Sequence, residues 1–138
     1  MGNVVPAPVL DSDVLIDYLR GAGPGRDLLH RIRATLAYRI TAVTAFELSL
    51  GQSYAREPAP ADALMAAPCL MLTRDAAIRA GGLLRDLRAG GTGIDVRDAM
   101  QAGICLQAGA PLITRNTRHF ARVPGLQVIE PGAFTGVT

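Results

Sequence analysis

Short apolar stretches alternate with helical patterns along the whole chain, and each apolar stretch runs directly into a polar or turn residue. Val9-Leu10 leads into Asp11-Ser12 and then LIDYLRG, a helix with Ser12 as its expected N-cap, stopped by Gly21, Gly23 and Pro24. A second helix is expected from Asp27 to Ala37, with Leu28, Leu29, Ile32 and Leu36 on one face and Arg31 and Arg33 turned away. Next come an expected strand over 39–42, a helix over 43–54, a loop at Pro58-Ala59-Pro60 and a short helix over 62–67. The continuous apolar run 69–73 reads as a buried strand. Thr73 then caps a long amphipathic helix ended by Gly90-Gly91, and a helix over 96–108 ends at Gly109. Strands are expected at 111–114 and 126–129. With no internal repeat and no linker, this alternation predicts an α/β fold in which helices cover both faces of a parallel sheet. Ligands of such sheets collect outside the carboxyl ends of the strands, near the point where strand order reverses.

A chain of 138 residues with 49% hydrophobic content is large enough for its own core, and one domain over residues 1–138 is expected. The N-terminal segment has no basic region and is broken by Pro6 and Pro8, and no apolar run approaches the roughly 18 residues of a membrane span. A soluble, cytoplasmic chain with no membrane partner is therefore expected. Cys69 and Cys105 sit among apolar neighbours without a second ligand at metal spacing, so both read as buried free thiols. All 14 basic residues are Arg, at a net charge of +2. Arginine suits phosphate recognition, but an Ala-, Gly- and Arg-rich composition accounts for the count equally well.

Four segments place a carboxylate or an amide where a metal-dependent nuclease needs one: Asp11 in VLDSDVLID, Glu47 in TAFELSLG, Asp98 in IDVRDAMQAGI and Asn116 in LITRNTRHF. Each has a plain structural reading. Asp11 and Asp13 flank a helix start, Thr44 and Glu47 have capping-box spacing, Asp95 suits an N-cap with Asp98 near the third helical position, and Asn116 fits a turn. Taken together those readings weaken. Asp11 and Asn116 follow strands directly, and Glu47 and Asp98 are expected in first helical turns at the same rim. Several carboxylates at one rim repel one another unless a cation neutralises them. Oxygen donors without Cys or His select Mg²⁺, with Mn²⁺ as the alternative, and such an ion serves phosphodiester hydrolysis.

The segments VLDSDVLIDYLRG, TAFELSLG, DAMQAGICLQAGAPLITRNTRHF and VPGL, in this order and spacing, resemble the PIN-domain family, and within it the ribonuclease toxins of the VapBC toxin–antitoxin type. The resemblance covers about Val9 to Val128 and is most specific in the last block. It implies a three-layer α/β/α PIN-like fold with about five parallel strands and a Mg²⁺- or Mn²⁺-dependent endoribonuclease. It also implies a homodimer inhibited by a cognate VapB-type antitoxin whose C-terminal segment crosses the acidic pocket. On this resemblance Asp11, Glu47 and Asp98 are the metal-holding acids, and Asn116 takes a fourth catalytic position where many relatives carry Asp. One firm ion site is then expected, with any second ion recruited by substrate phosphate. Glu47 or Asp98 is the expected general base. Arg115, Arg118 and His119 lie beside the fourth position as candidate contacts to RNA phosphates, Ser12 and Thr114 are weaker candidates, and Phe120 is expected in the core. With only three Tyr, three Phe and no Trp, recognition of RNA should rest on shape and backbone rather than base stacking.

Two other readings compete. Asp11-Ser12-Asp13-Val14 also looks like the nucleophile motif of haloacid-dehalogenase-type phosphatases, with Thr73 mimicking a second motif, but that family generally needs a Lys and the chain has none. The same lack weakens a response-regulator receiver. A non-catalytic PIN-like module that binds RNA or a partner is favoured only by Asn116.

Overall fold

The structure, a computed structural model, describes residues 7–34 and 36–135. Strand β1 (Val9–Leu10) is followed by helices α1 (Ser12–Arg20) and α2 (Pro24–Ile32), then β2 (Ile40–Thr41), α3 (Ala42–Leu50), α4 (Gln52–Arg56) and α5 (Ala59–Met65). The second half runs β3 (Cys69–Leu70), α6 (Arg74–Ala89), α7 (Val96–Ala108), β4 (Leu112–Ile113), α8 (Thr117–Phe120), β5 (Val128–Ile129) and a 3₁₀ turn at Pro131–Ala133.

All strand pairs are parallel. β1, β4 and β5 form one ladder, with Val9 opposite Leu112 and Leu112 opposite Val128, while β2 and β3 form a second, with Ile40 opposite Cys69. An isolated parallel bridge between Val9 and Arg39 joins them, through Leu10 N donating to Arg39 O and Arg39 N donating to Pro8 O, each at 2.9 Å. The order across the molecule is therefore β3-β2-β1-β4-β5, and its reversal falls between β1 and β4. The expected five-stranded sheet is present in this form, but its continuous main ladder has three strands, and each strand stays regular for only two residues.

Alternation along β1 and β4 builds the three layers. Leu10 and Ile113 face one side and pack with Val14, Leu15, Leu28, Leu29, Ile32, Leu48 and Leu64 from α1, α2, α3 and α5. Val9 and Leu112 face the other and pack with Ala102, Cys105, Phe120 and Val123. These central strand residues are fully buried, as parallel strands between helices must be. Outside that layer α6 lies on α7 with a close backbone approach. A Cβ at Gly103 would stand 2.6 Å from the Ala76 carbonyl oxygen, so only glycine fits there.

Several expectations shift. Asp11, not Ser12, is the N-cap of α1, its carboxylate accepting from Ser12 N. Pro24 opens α2 at its first position, three residues before the expected start, because its fixed φ is already helical. Gly51 divides the expected long helix into α3 and α4, and Pro60 lies in the first turn of α5 instead of a loop. The run after Pro68 is the largest departure. Only Cys69 and Leu70 pair, Cys69 is exposed, and Met71 and Leu72 are 65% and 38% exposed. β3 is an edge strand, so apolarity there does not imply burial. Cys105 is buried as expected, its thiol pushed up to about 12 by burial. Among the described residues no helix is long and apolar enough to cross a membrane.

Candidate active site

Asp11 leaves the end of β1 at the reversal point, and its burial comes from the neighbours that hold it. Its Oδ1 accepts from Ser12 N at 2.9 Å and Gln101 Nε2 at 3.2 Å, and its Oδ2 accepts from Thr114 Oγ1 at 2.7 Å. Thr114, at the end of β4, is itself fully buried. Its hydroxyl is shared three ways, lying 3.3 Å from Asp13 Oδ2 and accepting from Asn116 N at 3.0 Å. The ends of β1 and β4 are thus tied through one oxygen.

The other acids reach this rim from helices. Asp98 is the third residue of α7, after Asp95, whose carboxylate caps the helix by accepting from Arg97 N at 2.8 Å. Glu47 is not in a capping box. Thr41 is the N-cap of α3, accepting from Thr44 N, which puts Glu47 in the second turn. Asn116 precedes α8 and turns its amide toward His119, with Nδ2 3.1 Å from Nδ1. With the amide as donor, the neutral imidazole carries its proton on Nε2. Arg118 is exposed on α8, without a hydrogen bond to the acids among the described residues.

Charge binds these groups into one unit. Burial pushes the Asp11 carboxyl up to about 7, with Asp13 and Glu47 adding to the rise and the Thr114 and Ser12 donors opposing it. Asp13, Glu47 and Asp98 are also raised, in each case chiefly by burial. Asp98 and Asp95 raise Glu47 further, against Arg97 and Ser12, while Asp95 and Asp13 raise Asp98 against His119 and Arg97. Asp11, Glu47 and Asp98, expected from sequence at one rim, are thus linked by repulsion between Asp11 and Glu47 and between Glu47 and Asp98.

The donor set suits a hard divalent cation: it is all oxygen, it carries excess negative charge, and Asp13 Oδ1 is buried with no hydrogen-bond partner. Among the described residues, however, no three His, Cys, Asp or Glu side chains stand gathered as a finished metal cage. Asp11, Glu47 and Asp98 fit such an ion by donor chemistry and charge.

Four features escaped the sequence reading. Gln101, 1% exposed, bridges the site by donating to Asp11 Oδ1 and Thr44 Oγ1 while its own Oε1 accepts from the Thr41 hydroxyl. Its signal was a polar residue three positions after Asp98, beside Ala102 and Cys105 on the apolar face of α7. Asp13 joins the site through Thr114 and accepts from Arg115 N at 3.0 Å. Asp17, one turn further along α1, holds the Arg115 side chain. Between α1, α3, α4 and α5 a groove of about 330 Å³, lined by Ile16, Leu19, Leu48, Tyr54 and Pro60, runs up to Glu47.

The acids that follow β1 and lie on α3 and α7 thus meet at one rim of the sheet. Residues 9–126 match the PIN domain. The chain belongs to the PIN-domain family. The PIN-like α/β fold expected from the sequence is thereby borne out, and family membership sets aside the phosphatase and receiver readings. Ribonuclease VapC19 of Mycobacterium tuberculosis, in strains H37Rv and CDC 1551 / Oshkosh, is 30% identical over 120 residues, covering 86% of this PIN domain chain and 96% of that protein. A toxin–antitoxin complex from Klebsiella pneumoniae contains a chain with 25% identity and a TM-score of 0.71, covering 91% of this chain and 98% of its own. VapBC-1 from nontypeable Haemophilus influenzae gives a TM-score of 0.77 at 21% identity, with the same coverage, a likeness of PIN fold.

Proposed function

We propose that this PIN domain is a metal-dependent endoribonuclease, the toxin of a toxin–antitoxin pair, acting in the cytoplasm on RNA phosphodiester bonds. The observation that carries this reading is the group of acids at the strand-order reversal, with Asp11 repelled by Asp13 and Glu47, and Glu47 and Asp98 repelled by neighbouring acids, where a cation would relieve the charge. The naming of a 30%-identical relative as a ribonuclease supports the reaction, and the toxin–antitoxin complexes among the structural neighbours support the partner.

Asp11, Glu47 and Asp98 would hold the ion, either Mg²⁺ or Mn²⁺. When bound, it supplies charge neutralisation at the phosphoryl group and acidifies the attacking water. Gln101 and Thr114 fix the rotamer of Asp11, so that its carboxylate is presented without reorganisation. Glu47 or Asp98, half-buried and raised above the usual carboxylate range, takes the proton from the attacking water. Asn116 contributes an amide oxygen in place of a charge. Arg115, Arg118 and His119 meet RNA phosphates at the same edge. A cognate VapB-type antitoxin inhibits by laying its C-terminal segment over the acidic pocket, and the groove leading to Glu47 gives that segment an apolar seat. The chain works as a homodimer.

The test incubates the antitoxin-free protein with total cellular RNA in Mg²⁺, in Mn²⁺ and in EDTA, beside Asp98→Asn and Asp95→Asn. Discrete fragments that need metal are expected. Asp98→Asn abolishes them, and Asp95→Asn, a helix cap whose amide oxygen still accepts from Arg97 N, reduces them far less. Intact RNA in every lane would leave a binding module without catalysis.

A further inference from the structure

Arg115 is anchored at both ends by one face of α1. Its main-chain N donates to Asp13 Oδ2 at 3.0 Å, and its Nε lies 3.0 Å from Asp17 Oδ2 in an ion pair. Asp13 and Asp17 are four residues apart and so lie above one another on the helix. This ion pair differs from the others among the described residues. Elsewhere both partners are at least 42% exposed, and each pair joins residues one or two apart in sequence. Here the acid is 9% exposed, the arginine 42%, and the two come from opposite halves of the chain.

Asp17 is itself fixed. Its Oδ2 accepts from Gly25 N at 3.0 Å, and the α1–α2 turn closes on it so tightly that a Cβ at Gly23 would stand 2.6 Å from that oxygen. The carboxylate therefore has one position, and Arg115 Nε is held to it. The Nη edge of the guanidinium makes no hydrogen bond or ion pair among the described residues, and the side chain is close to half open to solvent. The result is a pre-oriented cation held at Asp17, which lies about 6 Å along α1 from Asp13 by the helical rise. It flanks the acidic centre, and its charge opposes the rise of the Asp13 carboxyl.

We propose that Asp17 is a positioning residue that holds Arg115 for a phosphate of single-stranded RNA neighbouring the one cleaved. The inference rests on the nuclease reading for the identity of the ligand and adds the device that presents the cation. A guanidinium free to rotate loses side-chain entropy on meeting a phosphate; one already fixed through Nε loses little and offers two parallel Nη donors.

The test measures binding of a fluorescein-labelled single-stranded RNA oligonucleotide in EDTA across a NaCl series, and separately kcat and KM for cleavage with Mg²⁺. Arg115→Ala is expected to weaken binding about ten-fold, to reduce the slope of log affinity against log salt by about 0.7, and to act on KM rather than kcat. Arg115→Lys keeps the slope and recovers only part of the affinity. Asp17→Asn retains an oxygen for Gly25 N but not the charge facing Nε, and is expected to weaken binding about three-fold, with wild-type slope. The double variant Asp17→Asn/Arg115→Ala binds no more weakly than Arg115→Ala alone, since Asp17 acts only through Arg115. Multiplying losses in the double variant, or wild-type affinity and slope in Arg115→Ala, overturns the proposal. Both arginine variants leave the buried Asp17–Gly25 contact in place, so the test does not depend on how well Asp17→Asn folds. Absence of metal-dependent cleavage, with the linked binding losses intact, would sink the nuclease reading and leave the RNA contact standing.

Discussion

Asp11 carries the greatest electrostatic cost of any side chain at the rim, and that cost has a sign. Its carboxyl rises from an ordinary 3.8 to about 7, mainly because it is buried. The folded chain thus holds this proton more tightly than the unfolded chain. Below about pH 4 both states are protonated and nothing is lost. Between about pH 4 and 7 the unfolded state alone ionises and stability falls; above 7 the full penalty persists. Asp11→Asn removes the penalty without breaking the network: the amide oxygen still accepts from Ser12 N and Gln101 Nε2, and the amide N–H donates to Thr114 Oγ1, which turns its own proton to Asp13. In EDTA at pH 8 the variant is expected to be more stable than the wild type by a few kcal/mol, on the order of the shift itself, yet to cleave no RNA. Thermal melts from pH 4 to 8.5 check it; the gap should close toward pH 4, and a constant gap would mean that Asp11 ionises normally.

Helix and strand identities were readable in the sequence because they follow from local chemistry; packing was not. Thr73, Asp95, Gly21 and Gly109 act as the caps and stops their types and positions imply. The edge position of β3 was not legible, since an apolar run reads alike in a central and an outer strand. At the site, the choice of Asp98 over Asp95 came from the family resemblance, counted back from Thr114-Arg115-Asn116, while acids placed after strands or at helix starts could be picked out. The hydrogen bonds of Gln101 to Asp11 and of Asp13 to Arg115 could not, because they join elements from opposite halves of the chain. The same distinction applies to glycines. Gly103 and Gly81 both lie inside helices, but a Cβ at 103 meets the Ala76 backbone oxygen at 2.6 Å and the Ala80 Cβ at 2.9 Å, while one at 81 meets nothing within 4 Å. Gly103→Ala should force α6 from α7 and destabilise by about 2–3 kcal/mol, whereas Gly81→Ala should stabilise by about 0.5–1 kcal/mol through helix propensity. Urea denaturation of the two variants separates them, and equal effects would contradict the close approach of α6 and α7.

Across the whole molecule, the order β3-β2-β1-β4-β5 determines where charge can collect. Only at the β1/β4 reversal do the following segments diverge to opposite faces, leaving a crevice at the carboxyl ends. Asp11 and Thr114 enter it from the strands, while Glu47 and Asp98 enter from helices on the two covering layers. The fold therefore concentrates carboxylates in a place where burial raises them all, and an apo molecule near neutral pH relieves part of the strain by retaining the Asp11 proton. A divalent ion relieves it differently, by favouring the ionised forms, so proton release and ion binding are linked. On the proposed metal site, an ion would have to displace the proton on Asp11 below about pH 6 and bind weakly; above about 7 the carboxylate is already ionised and repelled by Asp13 and Glu47, and the ion would relieve that repulsion. The rise in melting temperature produced by a fixed Mg²⁺ or Mn²⁺ concentration over EDTA should consequently be small at pH 5.5, grow through pH 7 and level off by about pH 8.5. Asp11→Asn should flatten that profile. A melting-temperature increment that is independent of pH in the wild type would show that the ion binds elsewhere than at this rim.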